Sequence, residues 1–241
     1  HLSQEGDDKS LPENAVTKVQ APKPNRFFEK EYVDSLREDV LKDIFAAIAK
    51  KAGVNTTMEK FIPFKDILAV YNPKIQEVGM YYPEEHKIEI NKYNAVSEEK
   101  AVTKSVTLAV LIHEELHAVT NTNSIKNSIE IGDTRQMGFQ VETLDAITRK
   151  SIEKVWKDFN EGITELITDD ILDEYIRRTG DRKEFHLEGF ERGYPGSTHQ
   201  SYLAERSMVN VVINRVSTDS GVSKDMVREA FVQAYFAGTP L

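Results

Sequence analysis

A run of largely apolar residues from Val106 to Ile112 passes without a break into His113-Glu114-Glu115-Leu116-His117-Ala118-Val119. This stretch constrains the fold more than any other. An apolar segment seeks the interior, and it carries its ionisable groups in with it, where they need partners. Ser97 followed by Glu98, Glu99 and Lys100 is a capping signal, so the spacing predicts a long helix running to about Val119. On a helix, residues four apart share a face, so His113 and His117 stand one turn apart and can reach one ion. Glu114 lies about 100° further round.

Composition narrows what such a helix can serve. The 241 residues hold 31 Lys+Arg against 40 Asp+Glu, a formal net charge of −9. That balance lacks the basic surface a nucleic-acid binder needs. With 39% hydrophobic and 29% charged residues the chain is of soluble globular type and long enough for one sizeable core. It has no cysteine. Disulfides, iron–sulfur clusters and Cys-ligated zinc are thereby excluded, and any metal must be held by His and carboxylates. No apolar run reaches the length of a membrane span, so no membrane partner is expected. The start shows no signal peptide, and a first residue of His reads as a processed or excised piece; localisation stays open. Residues 1–25, punctuated by Pro12, Pro22 and Pro24, read as a tail or linker, and residues 26–241 as one domain.

Along the body, Val33 to Gly53 has helical periodicity through Leu36, Val40, Ile44, Ala47 and Ile48, with Gly53 as its stop. Phe61 to Tyr71 reads equally as a strand or a short helix. Val78 to Asn91 reads as a β-hairpin turning at Pro83-Glu-Glu-His86. Asn121 to Ser128 is expected to be a polar loop, Met137 to Val141 a short strand, and Ser151 to about Arg178 a second long helix stopped by Gly180. On that helix Trp156 shares a core face with Ile152 and Phe159. A Gly-rich loop spans Arg182 to Ser197. Two helices follow, Gln200 to Val216 and Ser223 to Phe236, the latter with Met226, Val227, Ala230, Phe231, Ala234 and Tyr235 on one face. The sum is an α+β fold, mostly α, with a small antiparallel sheet.

Two His four apart with a Glu beside the first form the H-E-x-x-H pattern of zinc hydrolases: two ligands and a general base. A catalytic zinc needs a third protein ligand and an open position. The extended form H-E-x-x-H-x-x-G-x-x-H fails, because Thr120 and Asn123 stand where Gly and His would be. The next source of a ligand is Asn160-Glu161-Gly162-Ile163-Thr164-Glu165. Glu161 and Glu165 share a face opposite Ile163, Leu166, Ile167 and Ile171. Such a pair is ordinarily a solvated acidic face. Gly162 in a helix interior costs about 1 kcal/mol relative to Ala, which suggests close approach of another element.

His-Glu-Glu-Leu-His followed by Asn-Glu-Gly-Ile-Thr-Glu resembles the gluzincin metallopeptidases, of which thermolysin is a familiar member, with their H-E-x-x-H and downstream N-E-x-x-x-[DE]. The sheet strands Gly79–Tyr82 and Ile88–Asn91 just ahead of the motif helix look like the compact single-domain minigluzincins. The resemblance covers residues 78–168. It implies a zincin-like catalytic domain with His113, His117 and Glu161 as ligands of Zn2+ and Glu114 as general base. Glu165, with Asn160, would support the ligands from outside the coordination sphere. It also implies an oxyanion-stabilising His or Tyr after the Glu ligand. Tyr202, in Tyr202-Leu-Ala-Glu205, is the first choice, His199 the second and Tyr194 a third. His86 and His186 read as surface residues. The sequence departs from the pattern at Glu115, where an uncharged residue is usual. It departs also in the 44 positions separating His117 from Glu161, a longer gap than in thermolysin.

The expected activity is zinc-dependent peptide-bond hydrolysis. Zinc brings the pKa of its water to about 7, Glu114 takes the proton and later delivers it to the leaving amine, and Tyr202 or His199 bonds the oxyanion. The substrate, a peptide or an unstructured protein segment, is expected to lie as an extended strand against Met80–Tyr82 or Lys87–Asn91. The alternatives are an inactive or metal-binding protease-like module that recognises a protein partner, and a metal-free helical structural protein.

Overall fold

A computed structural model describes residues 35–54, 57–70, 77–91, 100–126, 133–145, 147–148, 150–180 and 202–238. The expected tail (1–25), the Gly-rich loop, His186, Tyr194 and His199 lie outside the described residues. The molecule is mixed α+β and mostly helical, as its periodicities predict.

Helix α1 spans Glu38–Lys51, later than the expected start, with acidic residues in its first turn and basic ones in its last, in the sense the helix dipole favours. Its buried stripe is Leu41, Ile44, Phe45 and Ala49. A 3-10 turn, Thr57–Lys60, precedes the ambiguous segment, which becomes a second 3-10 turn, Phe64–Asp66, followed by strand β1, Leu68–Val70. The hairpin forms as read. Strands β2, Gly79–Tyr82, and β3, Lys87–Asn91, pair antiparallel with Gly79 opposite Ile90 and Tyr82 opposite Lys87. β1 adds in parallel to the far side of β3, giving the order β1-β3-β2. β3 is therefore the central strand, and β2 is an edge.

Helix α2, Lys100–Thr120, carries the motif, and its residues 107–120 are all buried. Three sequence expectations fail beyond it. Asn121–Lys126 is strand β4, not a loop. Met137–Val141 is not one strand: Met137 ends strand β5, Asp133–Met137, Gly138 (φ +55°) and Phe139 turn, and Gln140 opens strand β6, Gln140–Leu144. Ser151–Val155 is strand β7, so the second long helix, α3, starts only at Lys157 and ends at Thr179. Strands β4 to β7 form an antiparallel meander, a second small sheet. Trp156 sits between β7 and α3 at φ +62°, a conformation bulky residues rarely adopt. It is 49% exposed and Ile152 65%, so the expected core face at 152–159 is reduced to Phe159.

Gly180 closes α3 at φ +77° as expected, its N–H bonding the Ile176 carbonyl. Helices α4, Leu203–Ser220, and α5, Lys224–Ala237, complete the chain; the first runs past its expected end at Val216. Ser223 caps α5 by accepting the Met226 N–H. The α5 face buries Val227 and Tyr235 and packs Phe231 and Ala234, whereas Met226 faces solvent. Among the described residues no helix is long and apolar enough to cross a membrane.

Helix α3 lies at the centre, against α1, α2, α4 and α5, while the first sheet rests on α2. Arg135 of β5 ties the two sheets together. Its guanidinium bonds the buried Glu142 of β6 and, at 2.7 Å, Glu84 in the β2–β3 turn.

Candidate metal centre

The centre is built where α2 crosses α3. Helical spacing stacks His113 over His117, with ring centroids 4.7 Å apart and planes at 77°. α3 brings Glu161 to the same point. His113 Nε2 lies 3.0 Å from His117 Nε2 and 3.1 Å from Glu161 Oε2, and His117 Nε2 lies 3.4 Å from Glu161 Oε2. All three residues are buried.

This triangle tests whether a cation fits. Each imidazole nitrogen offers one proton or one lone pair, so His113 Nε2 and His117 Nε2, 3.0 Å apart, cannot both donate to Glu161 Oε2 without setting two protons against each other. An ion about 2.0–2.1 Å from each of three ligands in tetrahedral arrangement holds them roughly 3.3–3.4 Å apart, close to the spacing found. Two imidazoles and a carboxylate suit a borderline divalent ion such as Zn2+. The residues fit the group.

The buried groups of the centre balance one another's charge. Burial opposes charge on Glu161, but the neighbouring His117 and His113 outweigh it and hold the carboxyl well below its ordinary range. Burial likewise opposes charge on His113, and Glu161 and Glu165 reverse the effect, raising its pKa well above the usual value. Glu165 stands on the outer side, its Oε1 2.8 Å from His113 Nδ1, though off the line of an aligned hydrogen bond. The solvated acidic face that Glu161 and Glu165 would ordinarily form is excluded, because both are buried.

Glu114 turns toward strand β2. A Cβ on Gly79 would fall 3.1 Å from Glu114 Oε1 and 2.3 Å from Val110 Cγ1, so the strand lies directly on the motif helix. Burial raises the Glu114 pKa, partly offset by His113 and His117. Tyr202, at the N-cap of α4, stacks on His113 with ring centroids 5.4 Å apart and planes at 13°. Burial and then the charges of Glu161 and Glu114 push its hydroxyl far up, so it stays a proton donor.

Asn160 faces elsewhere. Its Oδ1 accepts the N–H of Phe139 at 2.9 Å and of Gln140 at 3.4 Å, fastening the β5–β6 turn to the first turn of α3. Glu115 also points away from the centre. Its Oε2 accepts the Ile62 N–H at 3.1 Å, and burial raises its pKa well above the usual value. This explains a charged residue at that motif position: it pins the segment before β1. His86 is exposed as expected, its Nδ1 2.9 Å from the Tyr81 hydroxyl.

Sequence reading missed Gly79, Gly138 and Tyr235. A Cβ on Gly138 would lie 2.2 Å from the Tyr235 ring, and Tyr235 in turn meets the Thr164 hydroxyl at 2.8 Å. A glycine inside a β-prone run is itself a signal of close backbone approach, and it was available at both positions. No family model, curated protein or solved structure matches the chain. The reading of the centre therefore rests on its own geometry.

Proposed function

We propose that this chain is a zinc-dependent peptidase with a zincin-like, gluzincin-type site. The observation that carries the reading is the convergence of His113 Nε2, His117 Nε2 and Glu161 Oε2, from two helices, to within 3.4 Å of one another in the interior. A divalent cation held by these side chains supplies Lewis acidity, polarising a carbonyl and making water a stronger acid.

The remaining chemistry belongs to the chain. Glu114 is beside the first ligand and buried, with its proton affinity raised, as a base working near neutral pH requires. It takes a proton as water adds to the peptide carbonyl, and it returns that proton to the amine as the carbon–nitrogen bond breaks. Tyr202 keeps its hydroxyl proton and supplies a hydrogen bond to the developing oxyanion. Glu165 holds the His113 ring from its Nδ1 side.

Substrate binding falls to β2. Both sides of β3 are occupied by β1 and β2, so the alternative of an extended peptide lying along Lys87–Asn91 is dropped. Among the described residues β2 borders the sheet on the side away from β1; it adjoins Glu114 and is where an extended peptide would be added as a further strand. Such an edge takes extended peptide, so folded substrates must offer a loop or terminus.

The test pairs metal analysis with cleavage of an unfolded protein such as casein. The wild type should hold one zinc and cleave, and lose cleavage to a chelator. Glu114→Gln should keep the zinc and lose about 10²–10⁴-fold in turnover. Full activity in Glu114→Gln would overturn its role. Stoichiometric zinc without any cleavage would leave a metal-binding module that recognises a protein partner.

A further inference from the structure

We infer that Gly162 is a positioning residue: the contact it permits between α3 and α4 is what places Tyr202 on His113. The inference rests on the peptidase reading only for the use made of Tyr202, not for the placement itself.

Gly162 follows the ligand Glu161 directly and faces α4. A Cβ there would lie 2.5 Å from the Glu205 carbonyl oxygen, 2.7 Å from its carbon and 2.8 Å from Val209 Cγ2. Two of those atoms are backbone, so no rotamer change relieves the overlap and one helix must shift against the other; α3 is also held by α1, α2 and α5, so α4 is the one expected to yield. Glu205 belongs to the first turn of α4. That turn is closed by the Arg206 N–H on the Tyr202 carbonyl at 2.9 Å, which joins Tyr202 rigidly to it. Arg206 also pairs with Asp169 of α3, clamping the same turn. Tyr202 leaves the end of this turn and lays its ring on His113 at 5.4 Å. A displacement of α4 at Glu205 is thus carried to Tyr202, while His113, His117 and Glu161 stay on their own helices. The glycine therefore sets the aromatic lid of the centre without belonging to the ligand set.

The experiment reads the ring-current shift that Tyr202 imposes on the His113 ring protons, by NMR of the whole chain, with and without zinc. Tyr202→Leu defines the value without the ring. Gly162→Ala should move the His113 signals at least halfway to that value and leave His86 unmoved. In turnover, Gly162→Ala added to Tyr202→Phe should lower kcat little further, because both act through one hydroxyl. Where Gly162→Ala does not fold, Arg206→Gln, which loosens the same turn without adding an atom at 162, should shift His113 in the same direction. Unmoved His113 signals in a folded Gly162→Ala, or failing that in Arg206→Gln, overturn the inference. So does a Tyr202→Leu spectrum identical to wild type. The NMR readings require no turnover, so a chain that bound no zinc or cleaved nothing would sink the peptidase proposal and leave this one standing.

Discussion

At the scale of residues, the centre is a set of buried polar side chains that make sense only together. Glu161 keeps a charge in the interior because two imidazoles face it, and His113 gains its proton affinity from two carboxylates on the neighbouring helix. Removing one partner leaves the others unpaired, and groups that orient a ligand commonly account for 10–100-fold in metal affinity. Glu165→Gln, which keeps an acceptor but removes the charge behind His113, should weaken zinc binding by roughly that factor with Glu161 untouched. Competition against a chromogenic chelator measures it; unchanged affinity would show that Glu165 serves packing alone. Part of this site was legible in the chain. Residues four apart on an apolar helix must share a face, and the Asn160-Glu161 to Glu165 spacing offered a third ligand. That Asn160 turns to the Phe139 and Gln140 amides was not legible, because its partners are 20 and 21 positions away and join it only through tertiary packing.

At the scale of elements, the edge strand and the motif helix touch through a missing side chain. Gly79→Ala must push β2 off Val110 and Glu114, and overpacking of this kind costs about 1–3 kcal/mol. The variant should lose that much stability in denaturant unfolding and lose cleavage, yet keep its zinc. The two sheets are joined through Arg135. Burial opposes the charge of Glu142, but the Arg135 hydrogen bond outweighs it and lowers the pKa. A carboxyl lowered in the folded state adds stability above its unfolded pKa, near 4.3–4.5, and loses it as pH falls through the folded value. Wild type should therefore lose stability on acidification below about pH 4.5 more steeply than Glu142→Gln. Parallel urea titrations at pH 7 and pH 3.5 would show this, and equal losses would refute it.

At the scale of the whole molecule, one ion would bolt the two central helices together. Anything that binds only the folded chain stabilises it by mass action, about 2.7 kcal/mol at a hundredfold excess over Kd. For a chain of this size that corresponds to roughly 5–10 °C in Tm. Adding zinc to chelator-treated protein should raise Tm by that amount, and Glu161→Ala should show no rise; an equal rise in both would place the ion elsewhere.

The helix bodies and the β2–β3 hairpin were determined by the sequence alone, because their signals are local: periodicity, a turn, a stopping Gly180; the start of α3 was not. The shared helix face of His113 and His117 was fixed the same way. The second sheet was decided only by tertiary structure. Asn121–Lys126 is polar without alternation and becomes a strand only when β5 supplies its hydrogen bonds, and Ser151–Val155 has apolar residues at spacings a helix would share. The polar face of α3 belongs to the same class. Sequence marks Glu161 and Glu165 as charged and cannot show that the packing around α3 buries them, and it is that burial beside two imidazoles which turns two carboxylates into a candidate metal centre.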